Sequence, residues 1–417
     1  MKIITNISYL RGMTIAVVLQ IIIIHTAQAM PMFARKYQVS CATCHTSPPR
    51  LNETGFRFRA AGFCWPAEIG KNEEMPFKFT DYSSVRLQAR YDGSRSEVGT
   101  AVTTSNRGRL QAIELYPMTG AWGKYYSTNF KVTYVPGDDA MIENAYVKFV
   151  KGNAKKSLSV RAGIFHLYDG IGAADAPATI SRPLIQSAVS NFDQSTFFRT
   201  WGLDQLGVEA GYDYRRTSLR VSVLNGVSLH RRKGVLRAYG DQGGPLTRSA
   251  ALPTTNKADV QLYLNQLLPK SRGSVAFHYY HGNIVLPAAA PLGSFENSFH
   301  RAAGYANYNV GKRLQLYSGF QYGRDRRVAS APFASRGLFV EAATPITALS
   351  ALGVRYDWFD PAAGKSRNEV QGLTAYGNLW FKSQFRVVAE YQHRQTLRGT
   401  LANQQDNAFQ MRIIFIK

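Results

Sequence analysis

Cys41, Cys44 and His45 are the residues whose types and spacing indicate chemistry most directly. They belong to the sequence Cys41-Ala42-Thr43-Cys44-His45. Two thiols separated by two residues match the spacing of the two vinyl groups of haem, and a histidine directly after the second thiol can bind the iron. The motif therefore predicts covalent attachment of one haem c, with His45 as an iron ligand.

Paired cysteines also occur as redox dithiols and in zinc sites. A redox dithiol of this spacing is expected in a βαβ context, and zinc requires two further nitrogen or sulfur ligands nearby. Neither accompanies the motif in the sequence. Cys64 is the one other cysteine. Because haem would take the other two thiols, we expect Cys64 to be a buried free thiol.

The second axial ligand of the iron is left open by the sequence. Met75-Pro76-Phe77 follows His45 by thirty residues and is similar to the distal ligand segment of class I cytochromes c. Thioether ligation by Met75 would raise the haem potential. Packing of Met75 in the core of its own segment is an equally good interpretation. The other candidate ligands are Met30, Met32, Cys64 and His166.

The first 29 residues have the pattern of an export signal. Lys2 and Arg11 precede an apolar run from Thr14 to Ile24, and Ala27-Gln28-Ala29 provides a cleavage site with small residues. The run is too short for a membrane-spanning helix, which needs about twenty residues. The sequence predicts a signal peptide over 1–29 and a mature chain that begins at Met30.

From residue 81 to 417, short segments alternate polar and apolar residues with a period of two. This periodicity is typical of strands with one polar and one apolar face. Most segments have roughly ten residues, the length that a tilted strand needs to cross a bilayer. About sixteen strands are predicted, near 82–92, 107–118, 124–135, 142–150, 157–166, 204–213, 217–225, 257–267, 273–281, 299–309, 313–323, 336–343, 349–358, 370–379, 383–393 and 406–416.

The lengths of the connections favour a membrane barrel over a soluble β-sandwich or propeller. Connections after even-numbered strands are short, as at 215–217 and 310–312, whereas those at 167–203 and 226–256 are long. This alternation is typical of bacterial outer-membrane barrels. The predicted fold is all-β, an antiparallel transmembrane β-barrel of about sixteen strands. Residues 30–80 are expected to form a small c-type haem plug in the lumen or on its periplasmic side.

The formal net charge of +23 is a weak indication of nucleic-acid binding, and no such partner is predicted. The basic residues do not form blocks; they alternate with apolar residues along the strands, which places them on one face of a sheet. The pair His278 and His281 suggests a metal site, but residues three apart in a strand point to opposite faces. We therefore expect no shared ion there.

Several residues resemble the fused monohaem cytochrome–porin family of the outer membrane. They are Phe33-Ala34-Arg35, Cys41 to His45, Leu51-Asn52, Gly55 and Phe58, followed by Tyr168-Asp169-Gly170 and Ser181-Arg182-Pro183. The best-known members of this family are outer-membrane Fe(II) oxidases. The resemblance implies electron transfer between an extracellular donor or acceptor, such as Fe(II), and a periplasmic c-type cytochrome.

The leading hypothesis is therefore an outer-membrane electron conduit, with an Fe(II):cytochrome c oxidoreductase activity left open. The alternative is an anion-selective porin with a haem-bearing plug, since arginine-rich strand faces also favour anions. A third hypothesis is a soluble periplasmic cytochrome with a β ligand-binding domain. In the first two cases the outer-membrane lipid surrounds the barrel.

Overall fold

The computed structural model describes ten ranges of the chain. These are residues 32–71, 78–137, 140–168, 179–187, 204–232, 235–240, 257–287, 294–327, 332–381 and 384–417. The predicted signal peptide lies outside the described residues, as does Met75.

Sixteen antiparallel strands form one closed barrel. Neighbouring strands pair in sequence order, β9 pairs with β12, and the last strand pairs with the first to close the ring. The strands are β3 (Ser84–Val98), β4 (Ala101–Trp122), β5 (Tyr126–Tyr134), β6 (Ala140–Gly152), β7 (Lys156–Phe165), β8 (Gln205–Tyr214), β9 (Thr217–Leu224), β12 (Asp259–Leu267), β13 (Gly273–Pro287), β14 (Ser294–Val310), β15 (Leu314–Arg327), β16 (Phe333–Pro345), β17 (Ala351–Ala363), β18 (Val370–Phe381), β19 (Phe385–Thr396) and β20 (Gln404–Ile416).

The predicted number and order of strands are confirmed, and the sandwich alternative is wrong because one sheet closes on itself. The predicted bounds are too short at the end that carries the longer connections. β3 and β4 continue to a turn at residues 99–100, and β13 and β14 fill most of the predicted loop 282–298. The added part of β3 and β4 is polar, with Ser94 and Ser105 hydrogen-bonded across the pair at 2.9 Å. These arms lack the apolar alternation from which the strands were predicted.

The barrel wall is polar inside and apolar outside. On β9, Val221 and Val223 face outward with 41% and 52% of their surface exposed, whereas Arg220 and Ser222 point inward and are buried. On β12, Val260 and Leu264 are exposed while Gln261 and Asn265 are buried. An outward apolar face and a polar interior are the arrangement of a membrane barrel; a water-soluble barrel has the reverse.

The two ends of the barrel differ. The connections at one end are tight, for example residues 153–155 and 215–216, and the barrel also begins and ends there, at β3 and β20. The opposite end carries the connections 166–204 and 225–258. The two ends are called the short-turn end and the long-loop end. In membrane barrels of this kind the short turns are periplasmic.

One small sheet outside the barrel lies within a long connection. β10 (Val227–Arg232) and β11 (Val235–Gly240) pair with each other as an antiparallel hairpin within the connection between β9 and β12. From the sequence, this region was expected to be a loop. Its composition lacks the long alternating pattern that identified the barrel strands.

Residues 32–71, here called the N-terminal segment, lie against the inner wall near the short-turn end. The segment contains α1 (Met32–Tyr37), the short strands β1 (His45–Ser47) and β2 (Arg50–Leu51), and α2 (Glu53–Ala60). Lys36 donates to Ala121 O at 3.1 Å, and Lys148 from β6 donates to Ala60 O at 2.6 Å. An aromatic cluster holds the segment together: Phe33, Tyr37, Phe58, Phe63 and Trp65.

Residues 179–187, here called the inward segment, lie within the connection between β7 and β8 and cross to the opposite wall. The segment ends in α3 (Leu184–Ser187). Arg355 of β17 donates to Thr179 Oγ1 at 2.7 Å, and Glu390 of β19 accepts from the main-chain N–H of Ile180 at 2.7 Å. These contacts fix the inward segment inside the barrel.

No helix among the described residues has the length and apolar character needed to cross a membrane.

Candidate functional site

The Cys41–His45 motif begins with a single tight turn. Cys41–Thr43 form a 3-10 helix, and the Cys44 N–H donates to Cys41 O at 3.2 Å. Asn52 fixes this turn from the other side, because its main-chain N–H donates to Cys44 O at 2.9 Å and its side chain donates to Thr43 O at 3.0 Å. The Asn52 side chain also accepts from the Gly55 N–H at 3.0 Å and so caps α2.

Gly55 allows α2 to pack directly on the motif. A Cβ atom at this position would lie 2.1 Å from Cys44 O. Such an overlap with a main-chain atom cannot be relieved by rotation of a side chain. Only glycine permits this distance between the first turn of α2 and the second cysteine.

His45 is oriented by its own loop. Its Nδ1 lies 3.2 Å from Pro49 O and 3.3 Å from Arg50 O. With Nδ1 as the donor to these carbonyls, Nε2 carries the lone pair that a metal needs. Burial lowers the pKa of His45 to about 4, so the imidazole is neutral at physiological pH. This tautomer and charge state suit an iron ligand.

The three cysteines of the chain form no disulfide and are partly buried. Burial raises the pKa of both Cys41 and Cys44, and for Cys44 the neighbouring Cys41 thiol adds to the rise. Cys64 lies outside the motif and its thiol is 3.6 Å from Trp65 O. Cys64 forms no disulfide, and its side chain is only partly buried rather than buried as expected.

The loop from His45 to Arg50 is attached to the barrel wall at the short-turn end. Asn378 of β18 donates from Nδ2 to Pro48 O at 2.7 Å. The Arg50 guanidinium forms a buried ion pair with Glu341 of β16 and lies 3.6 Å above the ring of Tyr317. The main-chain carbonyl of the same Arg50 faces His45, so the ion pair with the wall also positions the histidine.

Sequence reasoning did not identify these wall residues. Glu341 and Asn378 lie in the predicted strands 336–343 and 370–379, and nothing in the sequence singles them out. A strand pattern shows which residues face the lumen, but it does not show which of them contact a segment three hundred residues away.

Three of the remaining candidate ligands, Met32, Cys64 and His166, lie in the described ranges. Met30 and Met75 lie outside the described residues. Met32 is buried in α1. His166 Nδ1 lies 3.3 Å from Asp204 Oδ1, beside the connection between β7 and β8. Met75 as the second axial ligand stays a prediction.

His278 and His281 face opposite sides of β13, as predicted. His278 is fully buried in the lumen, whereas His281 lies on the outer wall and its ring stacks on that of His300 at 4.5 Å. Within the described ranges, no group of three or more His, Cys, Asp or Glu side chains is placed to hold a metal ion.

Comparison with known proteins gives the fold. No protein-family model matches the sequence, and no curated protein matches it. Solved structures do match: the outer-membrane channel DcaP of Acinetobacter baumannii covers 81% of this chain and 96% of its own length, with 11% identity and a TM-score of 0.52. The chain has the porin fold.

Two further porin-fold structures match over similar lengths. The anion-selective porin of Comamonas acidovorans covers 80% of this chain and all of its own, with 10% identity and a TM-score of 0.52. OprB of Pseudomonas putida covers 80% and 94%, with 10% identity and a TM-score of 0.51. About a fifth of the chain lies outside each match. At these identities the likeness establishes the architecture alone.

Proposed function

We propose that this chain is an outer-membrane β-barrel that carries one covalent haem c at Cys41, Cys44 and His45 and transfers electrons across the membrane. The observation that carries the proposal is the His45 loop. Its Nδ1 is held by the carbonyls of Pro49 and Arg50, next to two thiols in a tight turn, and the loop is attached to the wall of a porin-fold barrel.

The position in the outer membrane is supported by the wall itself. Its outward apolar residues suit lipid, and its inward polar residues suit an aqueous or filled interior. Covalent haem attachment requires an exported chain in a compartment where haem c is assembled, and the predicted signal peptide over 1–29 provides the export.

When bound, haem c supplies one-electron transfer. Cys41 and Cys44 would hold it by thioether bonds, and the Nε2 atom of His45 would bind its iron. Pro49 O and Arg50 O hold the imidazole in the required tautomer. The Arg50–Glu341 ion pair prevents the loop from rotating away from the wall.

The location of the loop favours exchange with a periplasmic c-type cytochrome. Asn378 lies near the end of β18 at the short-turn end, and Arg386 beside it lies near the start of β19. From Asn378 to the other end of β18 at Val370, the strand extends roughly 26 Å at about 3.3 Å per residue. The motif therefore lies far from the long-loop end and close to the periplasmic side of the barrel.

The extracellular partner in this proposal is Fe(II) or another reductant. The resemblance to the fused monohaem cytochrome–porin family supports Fe(II). The basic lumen also supports electron transfer without ion passage, because positive side chains repel Fe²⁺. The corresponding enzyme activity is that of an Fe(II):cytochrome c oxidoreductase.

A second candidate function is an anion-selective porin with a haem-bearing plug. The comparisons favour it, since the matching solved structures are porins and a channel and one of them is described as anion-selective. The buried lumen arginines Arg220, Arg301 and Arg355 each pair with an aspartate, so their charges add little to a preference for anions. Against it, the N-terminal segment and the inward segment both occupy space within the barrel.

Conductance in a planar lipid bilayer separates the two functions. The electron conduit predicts a nearly closed barrel together with covalent haem on a denaturing gel. High anion conductance with no reduction of the haem by Fe(II) supports the porin. A chain without covalent haem that still conducts anions contradicts the electron-transfer proposal.

A further inference from the structure

Four arginines lie close together near the motif, and they are here called the arginine cluster: Arg50 of the His45 loop, and Arg86, Arg386 and Arg412 of the lumen wall. Arg386 interacts electrostatically with each of the other three, and its charge also acts on the His45 ring. Arg386 Nε donates to Asn378 Oδ1 at 2.9 Å. Since Asn378 also donates to Pro48 O, one asparagine connects the cluster to the loop that holds His45.

The strand register places like charges next to each other at this point. Arg412 of β20 lies directly opposite Arg90 of β3 and directly opposite Val388 of β19. Arg386 lies two residues from Val388 and faces the lumen as well. Like charges at directly opposite positions of neighbouring strands destabilise a sheet. A counter-charge in the lumen removes that penalty.

Part of the arginine cluster lacks acceptors. Arg50 Nη1, Arg86 Nε and Arg412 Nε are buried and have no hydrogen-bond partner in the structure. Arg50 pairs with Glu341 and Arg86 pairs with Glu114. Each of these two arginines nevertheless has one further donor nitrogen without an acceptor. Among the described residues, no carboxylate lies within 4 Å of Arg412. A buried donor without an acceptor costs about 1–3 kcal/mol, so these three donors favour the binding of an acceptor group beside the His45 loop.

The carboxylates near the cluster are already engaged. Glu114 is shared between Arg86 and Lys131, and Asp92 accepts from Arg90. Glu390, further along β19, accepts from the main chain of the inward segment. An acidic ligand would supply the acceptor that these described carboxylates do not.

We propose that the arginine cluster binds the two propionate carboxylates of the haem c attached at Cys41, Cys44 and His45, with Arg412 as the main contact. This inference rests on the proposed function. The propionates provide two negative charges and four acceptor oxygens. Guanidinium groups bind carboxylates in a planar, two-bond geometry. The barrel wall then binds the cofactor directly, in addition to the N-terminal segment that attaches it.

The test is a redox titration of the full-length protein in detergent or lipid, with wild type compared with Arg412→Gln. Loss of a positive charge next to the haem disfavours the reduced iron, so the midpoint potential shifts to lower values. The haem stain on a denaturing gel is unchanged, because both thioether bonds remain. Arg412→Lys keeps the charge without the planar geometry and shows a smaller shift in the same direction.

The matched control is Arg394→Gln. Arg394 lies on β19, the strand next to that of Arg412, but near the long-loop end, where its Nη2 pairs with Asp406 at 2.8 Å. Its removal leaves the midpoint potential at the wild-type value. If Arg412→Gln fails to assemble, Arg412→Lys carries the test, and a potential equal to wild type overturns the inference.

The failure of this inference is distinguishable from the failure of the proposed function. Covalent haem in the wild type, with the same potential in Arg412→Gln and Arg394→Gln, overturns the propionate site and leaves the cytochrome intact. An unchanged potential with reduced anion conductance in Arg412→Gln overturns it too and assigns the arginines to an anion pathway. A wild-type chain without covalent haem contradicts the proposed function itself.

Discussion

Gly55 and Asn52 show how closely single residues constrain the motif. Asn52 bonds to the turn through both its main chain and its side chain, and Gly55 brings α2 against Cys44 O. The resemblance noted in the sequence includes both residues. The structure provides the physical reason for each residue. Asn52 donates to the carbonyls of Thr43 and Cys44, and Gly55 leaves space for the Cys44 carbonyl.

The thiols of the motif should both be needed for attachment of the haem. We expect Cys41→Ala and Cys44→Ala to lose the haem that survives acid–acetone extraction, as measured by peroxidase staining of a denaturing gel. The control is Cys64→Ser, which lies outside the motif and should keep the stain. Full retention of covalent haem in the Cys41→Ala/Cys44→Ala double variant would refute the site.

Gly55→Ala should weaken the site without touching a ligand. The added Cβ overlaps Cys44 O, and overpacking of this kind costs about 1–3 kcal/mol, so we expect a clear fall in haem per protein. Gly108→Ala on β4 is the matched control, because a Cβ there meets nothing within 4 Å. Equal haem content in the two variants would mean that α2 does not pack on the motif as described.

At the scale of elements, the strands could be predicted from the sequence. Several contacts between strand residues and distant segments of the chain could not. A period of two fixes both the strand and its outward face, which is why segments such as 217–225 and 257–267 were assigned within a few residues. The arms of β3 and β4 and the β10–β11 hairpin lack that pattern and were missed. The contacts of Asn378 with Pro48 and of Arg355 with the inward segment join distant parts of the chain, and no local pattern encodes them.

The outward apolar face gives a prediction about the wall. Val221→Arg near the middle of β9 should hinder insertion by about 2–4 kcal/mol if it meets the lipid core. Val102→Arg makes the same change on an outward position of the β4 arm, close to the turn at 99–100, where 53% of Val102 is exposed. We expect heat-modifiable gel migration to be lost or reduced for Val221→Arg alone. Equal folding of the two variants would contradict a lipid-facing belt at Val221.

The inward segment gives a prediction about closure. Glu390 accepts the main-chain N–H groups of Ile180 and Ser181, so Glu390→Ala should release one side of the segment. The expected result is a higher single-channel conductance in a planar bilayer. Arg394 lies four residues further along β19 on the same face of the strand. We expect Arg394→Gln to conduct like wild type. If Glu390→Ala conducts no more than wild type, the segment does not limit passage through the lumen.

At the scale of the whole molecule, the barrel separates two tasks. The porin-fold wall provides a path through a membrane, and the N-terminal segment places the predicted haem ligand near the short-turn end. The polar lumen, with its excess of arginine beside the His45 loop, contributes both to the path and to the surroundings of the predicted haem ligand. The fold alone fits a channel; the motif and its attachment to the wall favour electron transfer through a filled barrel.

The most direct test of that claim is electron transfer across a bilayer. The full-length protein is placed in liposomes that contain trapped oxidised cytochrome c, and a membrane-impermeant Fe(II) chelate is added outside. We predict reduction of the trapped cytochrome by wild type and none by Cys41→Ala inserted to the same extent. Absence of reduction by haem-loaded wild type, or equal reduction with Cys41→Ala, would contradict the account.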